Sequence, residues 1–170
     1  MSHEELDKEV STFDLTTPDG LLCFLQMQAT VLKTLALHPI SQMSIDMVND
    51  LLERVGSDLL QLECSDRERL LDLDTLNPIS IDYVVAGSRL GTLVLKKRWL
   101  SAKSLTVRRA TAYFSTPGYI ETWAAFCVTA EDMAATGPLA DQIVRDTDRV
   151  FQFYRECARA PQTRHGAVHA

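Results

Sequence analysis

The chain has 170 residues, 46% hydrophobic and 24% charged, with a net charge of −6. This composition suits one globular domain with a single core. The acidic balance argues against a nucleic-acid or anionic-membrane partner, and no apolar run is long enough to span a bilayer.

The first residues, Met1-Ser2-His3-Glu4-Glu5, are acidic and polar, the opposite of a signal peptide, so a cytoplasmic location is expected. Ser2 with Glu5 three residues on forms a capping box. It opens a short helix that turns Leu6 and Val10 inward and carries His3 in its first turn. Thr17-Pro18, Asn77-Pro78, Thr116-Pro117 and Gly137-Pro138 each precede an apolar-periodic run. Proline suits the first position of a helix, where its missing N–H has no intrahelical partner anyway, and Thr and Asn are good N-caps. These signals predict helices over 18–36, 78–99, 117–133 and 138–159. Ile45, Val48, Leu51, Leu52, Val55 and Leu59 keep helical spacing and predict another over 43–62. Residues 66–73 form a short helix on this reading, and 100–116 a short helix plus loop. No segment shows sustained strand alternation. The expectation is an all-α, single-domain protein of about six to eight helices over residues 1–160, with a frayed polar tail at 161–170.

Cys23, Cys64, Cys127 and Cys157 are far apart, with no CxxC pair. They read as reduced thiols among apolar neighbours rather than a disulfide framework or metal site. The four histidines, His3, His38, His165 and His169, form no HxxxH or HExxH pattern. The acidic pairs, such as Asp72 with Asp74, read as solvated helix faces. No nucleophile elbow and no phosphate loop is present.

One stretch stands out. Tyr83-Val84-Val85-Ala86-Gly87-Ser88-Arg89-Leu90-Gly91 lies in the middle of a long predicted helix. Each glycine costs a helix interior about 0.5–1 kcal/mol relative to alanine. Four apart, the two share a face. Either a neighbouring helix packs closely there, or a flat ligand lies against the bare backbone.

This glycine helix resembles the distal helix of bacterial haem oxygenases, which carries a Y-V-x-E-G-S-x-L-G pattern. His3-Glu4-Glu5-Leu6-Asp7-Lys8-Glu9-Val10 is similar to that family's proximal helix. Gly20-Leu21-Leu22-Cys23-Phe24-Leu25-Gln26, Trp123 with Phe126, and Phe151 with Phe153 follow as in the family. The resemblance covers roughly residues 3–158 and is most specific at Gly87-Ser88 and Gly91. It implies a haem-oxygenase-like helical bundle and oxidation of haem, as both cofactor and substrate, to biliverdin, carbon monoxide and ferrous iron. Electrons then come from a separate ferredoxin or reductase, and a biliverdin-using photoreceptor is a downstream partner. His3 is the implied iron ligand. Gly87, Ser88 and Gly91 form the implied distal pocket and its oxygen and water network. Tyr83, Ala86, Thr92, Arg145 and Arg149 are the candidate haem contacts. The sequence departs from the pattern at Ala86, where Glu is frequent, and at Thr92, where Gly or Ala is usual. Two residues precede His3, where the family has a longer helical segment that covers one haem edge. The same resemblance leaves open a protein that binds or senses haem without turnover, or an interaction protein that binds none.

Overall fold

The computed structural model describes residues 3–64 and 73–160. Seven α-helices follow one another among them: α1 (His3–Ser11), α2 (Pro18–Leu35), α3 (Gln42–Gln61), α4 (Pro78–Leu100), α5 (Leu105–Arg109), α6 (Ile120–Glu131) and α7 (Pro138–Arg159). A 3₁₀ turn, Tyr113–Ser115, lies between α5 and α6. There is no strand among the described residues. The all-α expectation holds. Ser2, residues 66–72 of the helix predicted over 66–73, and the tail at 161–170 lie outside the described residues.

Helix α2 is the centre of the bundle. Thr17 caps it in extended geometry, its hydroxyl accepting from Gly20 N at 3.2 Å, and Pro18 opens the first turn. Gly20 is demanded by close approach: a Cβ there would lie 2.1 Å from the Asp14 carbonyl oxygen. Leu21, Leu22, Phe24, Leu25, Met27 and Val31 are all buried, so the helix is covered on more than one face by α3, α5 and α7. The Phe24 ring sits edge-on to Phe13 and Tyr113 and stacks on Phe114. Trp99 stacks on Phe114 in turn, and its indole N–H donates to the Val107 carbonyl at 3.2 Å.

Helix α4 begins as the sequence predicts. Asn77 accepts from Ile79 N, and Pro78 takes the first position. Its first half is buried against α7. There Asp146 accepts from Asn77 N at 2.9 Å, and Ser80 Oγ donates to the Ile143 carbonyl at 2.8 Å. Beyond Ala86 the helix emerges: Arg89, Thr92 and Trp99 stay buried, while Leu90, Leu93 and Val94 are exposed. Arg98 ties its far end to the α1–α2 corner through the Ser11 and Phe13 carbonyls.

Pro117 does not open α6. The helix starts at Ile120, behind Tyr119, whose φ of 50° breaks the turn. The Tyr119 hydroxyl donates to Asp50 on α3, and burial together with that carboxylate pushes its pKa up to about 12. This tertiary tie overrides the local proline signal. Pro138 does open α7, behind Gly137, whose φ of 110° suits glycine.

Candidate functional site

A slot of about 440 Å³ separates α1 from α4, within the range of small-molecule sites. Leu6 and Val10 form one wall, one turn apart on α1. The opposite wall is α4 from Tyr83 to Leu95, with Gly91 at its middle. Tyr113, Phe151 and Tyr154 close the inner end, and Trp123 of α6 closes one side.

The two glycines of α4 do different things. A Cβ at Gly87 would lie 3.2 Å from Cζ3 of Trp123, so this glycine is a notch that receives the indole of α6. A Cβ at Gly91 would meet nothing within 4 Å. Its bare backbone faces the open slot. Close packing therefore accounts for Gly87, while the helix face at Gly91 is open.

The other candidate contacts divide. Tyr83 and Thr92 line the slot. Tyr83 packs against Trp123, Phe126 and Phe151 with ring centroids 5.7–6.5 Å apart. Ser88 also lines it, but its hydroxyl donates to the Val85 carbonyl one turn back, at 2.8 Å. Ala86 is buried in the core on another face. Arg149 is engaged by Asp74 at 2.9 Å and Asp146 at 3.2 Å, and Arg145 is exposed; neither borders the slot. His3 begins α1 in helical register with Leu6, Asp7 and Val10, while its side chain lies outside what the structure describes. The four cysteines are unbridged, as expected. No cluster of metal-ligating side chains exists among the described residues.

Three residues at the inner end escape a reading of the sequence. Arg89 is buried and donates from Nη1 to the Tyr113 hydroxyl at 2.9 Å, with its guanidinium 5.0 Å from that ring's centroid. Tyr113 is held in place by Asp58 of α3, whose carboxylate accepts from Ala112 N at 2.9 Å and Tyr113 N at 2.8 Å. Burial raises the Asp58 pKa, and the two N–H groups oppose it. Tyr154, fully buried on α7, has its pKa pushed far up by that burial. An arginine between two helix glycines reads as a surface residue, and nothing local in the sequence reveals its burial.

A second cavity of about 710 Å³ lies between α4, α6 and α7. It shares Tyr83, Trp123 and Phe151 with the slot, so these three rings are the partition between the two.

The slot can hold a flat, largely apolar molecule, edge toward the aromatic rings and one face on Gly91. Asp7 is the one charged side chain among the described lining residues, so that lining offers no cation to a porphyrin's carboxylates. No helix among the described residues is long and apolar enough to cross a membrane. No family model matches the chain, and neither the curated proteins nor the solved structures yield a match.

Proposed function

We propose that the slot between α1 and α4 binds haem and that the chain acts as a haem oxygenase. One observation carries this reading: the open backbone face at Gly91 looks onto a slot whose opposite wall is α1, the helix that begins with His3. A neutral imidazole would be a suitable ligand to haem iron, and His3 stands three and seven residues before the slot-lining Leu6 and Val10 on α1. Bound haem supplies both the iron that activates dioxygen and the ring that is oxidised, to biliverdin, carbon monoxide and ferrous iron.

The protein's own part is positional. Leu6 and Val10 would hold a bound ring from the α1 side. Gly91 would let a bound ring approach the α4 backbone, and Thr92, buried beside it, would limit the room left over. Tyr83, Trp123 and Phe151 exclude water from one edge. Electrons come from an external donor such as a ferredoxin or a reductase.

The test is a hemin titration. Binding gives a Soret band that weakens in His3→Ala, and ascorbate or a ferredoxin system then turns the complex green. Absence of any Soret shift overturns haem binding. A second reading, haem binding without turnover, draws on the Ser88 hydroxyl, which is directed back to Val85 rather than to the slot. Haem that binds and persists unreacted under reducing conditions decides for it.

A further inference from the structure

Behind the inner end of the slot lies a charge with no ion-pair partner among the described residues. Arg89 is 4% exposed, and a buried guanidinium is costly without a counter-charge. Among the described residues its guanidinium donates to a neutral phenol, and its Nε has no partner. No carboxylate among the described residues pairs with it. Asp50, on the neighbouring α3, is taken by Arg54 and Tyr119. Asp58 is taken by two backbone N–H groups.

The two phenols beside it face the same problem from the donor side. The Tyr113 oxygen accepts from Arg89, which leaves its own proton to be donated elsewhere. Tyr113 and Tyr154 both border the slot, so an acceptor placed there can take a hydrogen bond from each hydroxyl. Buried donors are normally satisfied. Both tyrosines are at most 3% exposed, and both border the slot. Burial, and then the nearby Tyr113, raise the Tyr154 pKa, and Arg89 acts the opposite way. Water satisfies a hydroxyl as well as any ligand does, but it leaves the arginine's charge uncompensated. An anionic oxygen answers both needs at once.

We propose that Tyr113 and Tyr154, backed by Arg89, form a carboxylate-recognising end to the slot, selecting flat apolar ligands that carry an acid group. Tyr113 and Tyr154 donate to the carboxylate. Arg89 is a positioning residue: it polarises Tyr113 and supplies the compensating charge from behind. This assignment is independent of haem, because it concerns any aromatic acid of suitable width.

The experiment compares naphthaleneacetate with its uncharged amide by isothermal titration calorimetry on the full chain, with no haem present. The acid binds about tenfold more tightly than the amide. Tyr113→Phe and Tyr154→Phe each bring the two affinities together by weakening the acid alone, with circular dichroism unchanged. Equal affinity for acid and amide in the unaltered protein, binding of neither, or a preference that survives in both variants overturns the proposal. The comparison in the unaltered protein decides even where a variant does not fold.

Discussion

Gly87 and Gly91 look alike in the sequence, yet substitutions there should act in opposite directions. Gly91 faces open space, so Gly91→Ala gains the helix preference of about 0.5–1 kcal/mol. Thermal melting should rise by roughly 1–4 °C. Gly91→Leu should keep the helicity seen by circular dichroism and block the slot, read as loss of the hemin Soret band. A lowered melting point in Gly91→Ala would show that its face is occupied by protein. Gly87→Leu, in contrast, drives a side chain into the Trp123 ring and should lower the melting point. The glycine spacing told us that something approaches this helix face. It did not separate the two residues, because the separation depends on Trp123, thirty-odd positions away in the chain. Arg89 and Tyr154 were hidden for the same reason: their burial is made by contacts between distant elements.

At the scale of elements, α1 differs from the other long helices in how it is held. None of residues 4–11 is buried. Leu6 and Val10 are partly covered, and two ion pairs to α7 do the rest: Glu5 with Arg155 at 2.9 Å, and Glu9 with Arg159. The hydrogen bond from Arg159, then the charges of Arg159 and Arg155, hold the Glu9 pKa below the ordinary carboxylate range. A depressed carboxylate contributes attachment in full above its unfolded pKa, and the contribution is lost as pH falls through the folded value. Acidification below the ordinary glutamate range should therefore release α1 before the core unfolds. High salt should do the same at neutral pH, since both pairs are open to solvent. Hydrogen exchange localised to α1 checks this; equal loss of protection in α2 would refute it. The starts of α2, α4 and α7 were legible because Pro18, Pro78 and Pro138 act locally. Pro117 misled, because the tie between Tyr119 and Asp50 moved the start of α6 by three residues.

The molecule as a whole is a bundle around α2 with two cavities on the outer flank of α4, divided by three aromatic rings. Trp123 is central to that division. It fills the Gly87 notch and stacks on Phe126, and α6 has Phe126 as its one buried side chain. Trp123→Ala should merge the cavities and cost about 2–3 kcal/mol, seen as a melting point lower by roughly 5–10 °C. Amide exchange should quicken in α6 and stay slow in α2. Uniform acceleration would show that α6 is integral to the core rather than moored to it by this ring. The all-helical architecture could be read from apolar periodicity, and it is observed. The slot could not, since it is a space between α1 and α4, and only the folded chain defines it.

The weak hold on α1 has a kinetic meaning. That helix is one whole wall of the slot, so access needs no breach of the bundle, only a swing of nine residues about the corner that Arg98 clasps. Rates of capture and escape are then set by the latch, and strength of binding by the fixed wall and the inner end. Weakening the ion pairs to α7 should shorten the lifetime of a bound ligand much more than it changes which ligand is chosen.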